Sequence, residues 1–314
     1  MSVGWYQRAH LGGLFVLHAT TSSSDKRAHL RRLLSTKELV VLPGAFNPAT
    51  AMLIEQHGFD AAYLSGAVIS ADLGLPDIGL TTLTEVAARA SQVARVTNLP
   101  LIVDADTGFG EAINVARAVQ VLEDAGVAGL HLEDQVNPKR CGHLDGKQVV
   151  ELDIAVQRIR AAEGARRDPN LLLIARTDAR AMGGVRDVIE RAKAYIDAGA
   201  DAIFPEALLD EGEFGAVRRA IDAPLLANAT EFGKGPMLNT AQLRDLGVDM
   251  VIFPASLFRL AMRSAVVGLT TLREHGGFAS SLDAMQTRAD LYELLDYANY
   301  ESFDETIYNF TLPS

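Results

Sequence analysis

Short runs rich in Val, Ile and Leu recur along the chain at residues 39–46, 61–67, 100–106, 129–135, 171–178, 202–206, 224–230 and 250–256. Both faces of each run are apolar, the pattern of strands covered on both sides rather than of a sheet with one wet face. Between most of them lie segments with helical periodicity: Val86, Ala90 and Val93; Val115, Val119 and Leu122; Ile189, Ala192 and Ile196. Strands alternating with helices predict parallel strands joined by crossover helices. Eight such units predict an α/β protein of the closed (β/α)8 type, with additional helices at both ends of the chain.

A weak internal repeat supports this register. Gln56-His57-Gly58-Phe59-Asp60-Ala61, Asp124-Ala125-Gly126-Val127-Ala128-Gly129, Asp197-Ala198-Gly199-Ala200-Asp201-Ala202 and Asp245-Leu246-Gly247-Val248-Asp249-Met250 each put a glycine where a helix should stop and a strand begin. Glycine reaches the left-handed conformation that closes a helix. A doubly wound open sheet is the competing architecture. It would carry a glycine-rich phosphate turn after its first strand, but that position reads Pro43-Gly44-Ala45-Phe46-Asn47-Pro48, and neither Gly-x-Gly-x-x-Gly nor a P-loop occurs in the chain.

The polar residues at the ends of the runs are Ser65-Gly66, Asp104 and Asp106, Glu133 and Asp134, Arg176 and Asp178, Glu206, and Asn228 and Thr230. In a barrel these ends share one rim, the C-terminal face where catalytic groups of this architecture sit. The opposite ends supply mostly Leu, Ala and Pro. That asymmetry points to an enzyme.

Composition narrows the partners. With 314 residues and 48% hydrophobic content, the chain can bury one large core, expected over residues 25–314 with a tail at 1–24. A net charge of −11 leaves no basic surface for nucleic acid, and no apolar run approaches the ~18 residues of a membrane span. A single cysteine forms no internal disulfide, which fits a cytoplasmic protein. Residues 1–24 hold apolar Leu11 to Ala19 and no acidic residue, so the mitochondrial matrix is the lesser alternative.

The rim suggests its own chemistry. In an extended strand, Asp104-Ala105-Asp106 would place two carboxylates on one face, with Glu133 joining from the next strand. Three acidic oxygen donors suit Mg2+ or Mn2+, ions that keep several waters and take one or two direct carboxylates; the bland alternative is salt bridging to Arg176 and Lys139. Without a His-rich or Cys-rich constellation, zinc is disfavoured. Arg176 offers a planar fork for a substrate carboxylate, or else neutralises Asp178 or Glu206. Cys141 sits in Lys139-Arg140-Cys141-Gly142-His143, where positive neighbours lower a thiol's pKa from roughly 8.5 and equip it for proton transfer. No His-Asp relay is apparent to favour covalent catalysis instead.

Taken in order, Tyr63-Leu64-Ser65-Gly66, Leu73-Gly74-Leu75-Pro76-Asp77, Val103-Asp104-Ala105-Asp106-Thr107-Gly108-Phe109-Gly110, Leu132-Glu133-Asp134-Gln135, Pro138-Lys139-Arg140-Cys141-Gly142-His143, Ala175-Arg176-Thr177-Asp178-Ala179, Phe204-Pro205-Glu206-Ala207 and Ala227-Asn228-Ala229-Thr230-Glu231-Phe232-Gly233 resemble the isocitrate lyase and phosphoenolpyruvate mutase superfamily. They look most like its 2-methylisocitrate lyases. The likeness runs from about Leu39 to Met285-Gln286-Thr287-Arg288 and beyond.

The resemblance implies a Mg2+-dependent cleavage of 2-methylisocitrate, a tricarboxylate, to pyruvate and succinate in the methylcitrate route of propionate catabolism. By the same resemblance Asp104 and Asp106 hold the metal, with Glu133 and Asp77 acting through water. Ser65, Gly66 and Ala67 bind the carboxylate of the pyruvate portion and Arg176 holds the substrate. Glu206, Asn228, Thr230, Arg140, Gly142 and His143 surround the succinate portion, and Cys141 protonates the succinate enolate from a loop that closes over the site. Tyr63 is a candidate base, weighed equally against a packed aromatic. Phe204 and Ile252 correspond to the pocket for the extra methyl, and a single methyl is worth only about 1–3 kcal/mol of discrimination. Relatives acting on isocitrate, 2,3-dimethylmalate or oxaloacetate therefore stay open, as does a non-catalytic carboxylate-binding barrel. Two departures stand out: Ala67 where a second glycine is usual, and Ile252 where leucine is commoner. The chain lacks the large insertion of isocitrate lyases, and Cys141 counts against the phosphonate mutases.

After the eighth run, Leu257, Leu260, Ala261 and Ser264 define one helix face and Leu291, Leu294 and Leu295 another. The resemblance implies terminal helices exchanged between the subunits of a homotetramer; the alternative is a helix packed on its own barrel.

Overall fold

The computed structural model describes residues 19–142, 144 and 146–308. Helix α1 (Ser23–Ser35) precedes strand β1 (Val40–Pro43) and α2 (Pro48–Gln56), then β2 (Ala62–Leu64), α3 (Gly66–Asp72) and α4 (Leu83–Ala94). The alternation continues through β3 (Leu101–Asp104), α5 (Ala112–Asp124), β4 (Gly129–Glu133), α6 (Leu152–Ala165), β5 (Leu172–Thr177) and α7 (Arg180–Asp197). It closes with β6 (Ala202–Pro205), α8 (Glu211–Ala220), β7 (Leu226–Asn228), α9 (Thr240–Asp245), β8 (Met250–Phe253) and α10 (Ser256–His275). A 3-10 turn (Ala279–Ala284), α11 (Arg288–Leu294) and α12 (Tyr297–Tyr308) follow.

All strand pairings are parallel, in the orders β2-β3-β4-β5-β6 and β1-β8-β7. Parallel bridges Gly44↔Tyr63 and Ile203↔Leu225 join the two sets, so each strand has a neighbour on both sides and the ring is that of a (β/α)8 barrel. The strands are shorter than the apolar runs. The run at 61–67, for example, stops pairing at Leu64, because Ser65 already caps α3.

Alternation along the strands sorts the side chains. Leu101, Val103, Leu130, Leu132, Leu173, Ala175 and Ile203 pack outward against the helices, while Ile102, Ile174, Phe204, Leu226 and Ile252 belong to a separate cluster inside the ring. Following the inward parity upward by two residues leads from Ile102 to Asp104, from His131 to Glu133, from Ile174 to Arg176, from Phe204 to Glu206 and from Leu226 to Asn228. One parity of the same strands thus supplies an apolar floor and a charged rim.

The far end of the ring is sealed by α1, whose Leu30 and Leu34 join the interior cluster. Its buried Lys26 caps the carbonyls of Ala94 and Thr97, and its buried Arg27 those of Glu123 and Val127. The tail expected over 1–24 therefore ends earlier: Ala19 already hydrogen-bonds Arg95, Thr20 and Thr21 bond Asn98, and Ser22 caps α1. Residues 1–18 lie outside the described residues.

Beyond the barrel, Leu257 still packs against the core, but no residue of α10 is buried. Leu260, Met262, Val266, Val267 and Leu269 are all exposed, so that helix does not pack its apolar side on its own barrel. No described helix is long and apolar enough to cross a membrane.

Candidate active site

The register of the strands builds the site. Pairing of β3 with β4 sets Asp104 beside His131, and pairing of β4 with β5 sets Glu133 beside Arg176. Asp104, Asp106, Glu133, Arg176, Asp178 and Glu206 are all buried. Charges are rarely this enclosed unless paired.

Asp106 reaches the cluster by a different route from the one expected. β3 ends at Asp104, and Asp106 stands in the left-handed region at φ 45° with its amide donating to Asp104 Oδ1 at 2.9 Å. A side-chain-capped turn, not strand alternation, brings the two carboxylates together. Their convergence is measured by Gly66, where an added Cβ would lie 2.9 Å from Asp104 Oδ2 and 3.3 Å from Asp106 Oδ1. The Gly66 amide donates to Asp104 Oδ2 at 3.2 Å. Ser65 is buried beside it and Ala67 half-buried, both at the start of α3.

Electrostatics separates the carboxylates. Burial favours protonation of Asp104, but His131, Lys139 and Arg176 outweigh it and hold the group at about 2. Burial together with the charge of Asp104 pushes Asp106 up to about 6. Burial also raises Glu133 well above the usual carboxylate range, against the pull of Arg176 and Lys139.

Lys139 was not among the sequence candidates as a site residue, yet its buried ammonium pairs with Asp77 and lies 2.8 Å from Asp106 Oδ1. Burial would lower its pKa, and the surrounding carboxylates more than reverse that. His131, also missed, is fully buried with its Nε2 2.7 Å from the Tyr63 hydroxyl and 3.6 Å from Asp104. Burial lowers it to about 4, so it is neutral near pH 7. Its signal in the sequence, an odd polar residue in the run at 129–135, was overshadowed by Glu133 two positions on.

Tyr63 rests as a neutral phenol. Its ring stacks on His131, and burial followed by the charge of Asp104 raises the phenol well above its ordinary value, so it remains a neutral hydroxyl. Phe204 lies beneath Arg176, 5.2 Å from ring centre to guanidinium carbon, and edge-on to His131. Ile252 is buried in the same interior cluster.

The donor set accommodates a hard divalent cation. Both oxygens of buried Glu133 lack a hydrogen-bond partner among the described residues, Oε2 being met by Arg176 only as an ion pair at 3.3 Å, and unsatisfied carboxylate oxygens in a buried site are what an oxygen-seeking ion requires. Among the described residues no group of three or more His, Cys, Asp or Glu stands placed to hold a metal ion by itself. The salt bridges weighed as the alternative are also present: Lys139 to Asp106, and Arg176 to Glu133 at 3.3 Å.

Arg176 is held by Asp178 through Nε at 2.9 Å and Nη2 at 3.2 Å, and lies 3.5 Å from Glu206. Asn228 Nδ2 donates to Glu206 at 3.3 Å. Thr230 is set higher, accepting from Arg259 Nη1 at 3.1 Å; that arginine, on α10, also pairs with Glu231 and escaped notice because it follows the last strand.

The cysteine loop is seated on this cluster. An added Cβ at Gly142 would come 2.5 Å from Arg176 Nη2 and 2.7 Å from Glu206 Cγ. Gln135 holds the loop's entry, bonding the Arg140 carbonyl and amide at 2.8 and 2.9 Å. Cys141 is half-buried next to Gly142, whereas Arg140 is exposed with its guanidinium against Gly146. His143 lies outside the described residues.

With this geometry in place, the comparisons decide the family. The family model for phosphoenolpyruvate phosphomutase matches residues 30–272. The chain belongs to this family, within the phosphoenolpyruvate mutase and isocitrate lyase superfamily. It is 52% identical to the probable 2-methylisocitrate lyase 2 of Corynebacterium glutamicum, over 97% of this chain and 98% of that protein. It is 56% identical to the probable 2-methylisocitrate lyase 1 of the same organism, over 91% and 94%. Among solved structures, oxaloacetate acetylhydrolase in complex with 3,3-difluorooxalacetate superposes with a TM-score of 0.87 at 35% identity, covering 93% of this chain and 100% of that one. This superfamily member is a carbon–carbon lyase.

Proposed function

We propose that the protein cleaves 2-methylisocitrate to pyruvate and succinate, serving propionate catabolism through the methylcitrate cycle. The observation that carries the reading is the seating of Gly142, the residue next to Cys141, directly on Arg176 and Glu206.

Asp104 and Asp106 would hold Mg2+ or Mn2+, with Glu133 and Asp77 reaching it through water, and the bound ion supplies positive charge to the oxygens of the pyruvate portion. The first turn of α3 at Ser65, Gly66 and Ala67 receives the pyruvate carboxylate. Arg176 would offer its fork to a second carboxylate, and Glu206, Asn228, Thr230 and Gly142 would line the succinate end, to which the resemblance also assigns Arg140 and His143. The substrate hydroxyl would give its proton to Tyr63 as Tyr63 passes its own to the neutral His131 Nε2, 2.7 Å away; the adjacent carbon–carbon bond breaks as the pyruvate carbonyl forms, and the released electron pair resides on the succinate carbon. The Cys141 thiol gives its proton to that carbon.

Phe204 and Ile252 would meet the extra methyl. Both stand on the apolar floor, which suits a methyl group. The functional unit is proposed as a homo-oligomer, a tetramer by resemblance, because α10 carries apolar residues that its own barrel leaves uncovered.

Side-by-side initial rates on 2-methylisocitrate, isocitrate, 2,3-dimethylmalate and oxaloacetate test the assignment. The expected result is pyruvate formation fastest from 2-methylisocitrate, abolished by a chelator and restored by Mg2+. A faster reaction with any of the other three acids would overturn the substrate.

A further inference from the structure

Asp134 follows the last residue of β4 and turns the other way from Glu133, toward the helices that cover the barrel wall. It has no part in the proposed reaction, yet it is buried and richly bonded. Its Oδ1 accepts from the Asp178 amide at 2.9 Å, and its Oδ2 accepts from Thr177 Oγ1 at 2.7 Å, the Tyr195 hydroxyl at 2.8 Å and Arg191 Nη1 at 3.3 Å.

These bonds converge where β5 ends. The register of β4 with β5 runs out at Glu133 and Arg176, and beyond that pair the Asp134 side chain takes the place of a strand partner for the Asp178 amide. The Thr177 hydroxyl that it holds accepts in turn from the Ala179 amide at 3.2 Å. Thr177, Asp178 and Ala179 are fully buried, so a three-residue turn hangs on one carboxylate. Within that turn, Asp178 directs Arg176, accepting from its Nε at 2.9 Å and its Nη2 at 3.2 Å, while Glu133 and Glu206 meet the guanidinium as ion pairs at 3.3 and 3.5 Å. The anchor is itself braced. Helix α7 starts at Arg180, directly after the turn, and brings Arg191 and Tyr195 back to the same Asp134.

We propose that Asp134 is a positioning residue for Arg176: from the helix side of the barrel wall it anchors the Asp178 main chain, and through the Asp178 carboxylate it fixes the guanidinium that meets the substrate. Without the anchor, Asp178 shifts with its turn and the fork loses its direction. The inference deepens the lyase reading and rests on it for the carboxylate that Arg176 receives. Tyr195 bonds Asp134 and not the turn, so its loss should cost stability and leave Arg176 in place.

Succinate, the proposed product, is the probe, its Kd measured by calorimetry on the full-length protein with Mg2+ present. Asp134→Ala should weaken succinate binding on the order of 100-fold, the scale of a misplaced contact group. Asp134→Asn keeps an oxygen for the Asp178 amide but not the charge, so it should weaken binding by about tenfold; it replaces the alanine variant if that protein does not fold. With 2-methylisocitrate the loss should fall mainly on KM rather than kcat, because Arg176 would hold substrate and transition state alike. Tyr195→Phe controls for a purely structural role: it should unfold at lower urea concentration and still bind succinate within about twofold of wild type. A cooperatively unfolding Asp134 variant with succinate affinity within about twofold of wild type would overturn the proposal, as would a loss in Tyr195→Phe equal to that in Asp134→Asn. If the wild-type protein neither binds succinate nor forms pyruvate from 2-methylisocitrate, the lyase reading fails, and crystal structures still decide the anchor. Arg176 should keep both bonds to Asp178 in the wild type and lose them in the Asp134 variant, and an unmoved guanidinium would refute it.

Discussion

Gly142 rests on Arg176 so closely that no side chain fits between them: an added Cβ would lie 2.5 Å from the guanidinium Nη2. The neighbours below are a buried arginine and the stem of buried Glu206, neither free to retreat. Gly142→Ala should keep the fold, since the change is confined to the loop, and hold the loop off the rim. Pyruvate formation should fall on the order of 10²-fold, with Cys141 alkylated faster and the thermal midpoint little changed. Wild-type turnover in Gly142→Ala would show that the seated loop is not the working one.

Gly66 plays the corresponding part at the metal end. A methyl there would press on Asp104 Oδ2 at 2.9 Å while the amide bond to the same oxygen is strained. Gly66→Ala should weaken apparent Mg2+ affinity by roughly 10- to 100-fold, the range seen when groups that orient metal ligands are disturbed. Titrating activity against Mg2+ in the two proteins measures it, and superimposable curves would remove Gly66 from the site.

Metal binding should also depend on pH in a stated direction. Asp106 is pushed up to about 6 by burial and by Asp104, so below that pH it carries a proton that an incoming cation must displace. Apparent Mg2+ affinity is expected to fall by about tenfold per unit as pH drops from 6 to 5 and to be flat from 7 to 8. Calorimetric titrations across that range test this, and Asp106→Asn should remove the slope.

The barrel was legible in the sequence because its strands are apolar on both faces, and the rim was legible because charge appears only where each apolar run ends. What escaped reading depended on contacts between distant segments. Periodicity picked out Ile189, Ala192 and Ile196 on α7, and all three pack in or against the core, but it did not show that Val188, Arg191 and Tyr195 are buried as well. The helix is turned so that Tyr195 and Arg191 reach buried Asp134, at 2.8 and 3.3 Å. No local pattern records that partnership. For Lys139 the sequence offered both a cationic neighbour of the thiol and a salt-bridge partner of the rim carboxylates; the fold sends its ammonium to Asp106, as in the second reading, and also to Asp77, which no local pattern records.

That turned helix can be tested by stability. Tyr195→Phe removes one hydrogen bond to a carboxylate that burial and Asp178 already make costly to ionise, as its raised pKa shows. Loss of a bond to a buried charged group costs about 1.5–3 kcal/mol, and Thr177, Arg191 and the Asp178 amide remain as partners. Urea unfolding should show that loss, with activity within a few-fold of wild type. An unchanged unfolding free energy would mean that the remaining donors satisfy Asp134 by themselves.

The last prediction concerns α10. Leu260 and Val267 stand seven residues apart on one side of it, and Met262, Val266 and Leu269 share another; all are exposed. A helix apolar on more than one side requires more than one covering surface, and a single barrel offers only the contact made near Leu257. The missing cover is expected from a second copy of the chain. Leu269→Glu together with Val266→Glu places charge in that contact, where burial without a partner is strongly unfavourable, while leaving the barrel's own core untouched. Light scattering should give a multiple of the chain mass for wild type and a smaller species for the double variant, with the far-ultraviolet circular dichroism of both alike. A wild-type protein that runs as a monomer at micromolar concentration would refute the assembly and leave the apolar sides of α10 to be covered by something else.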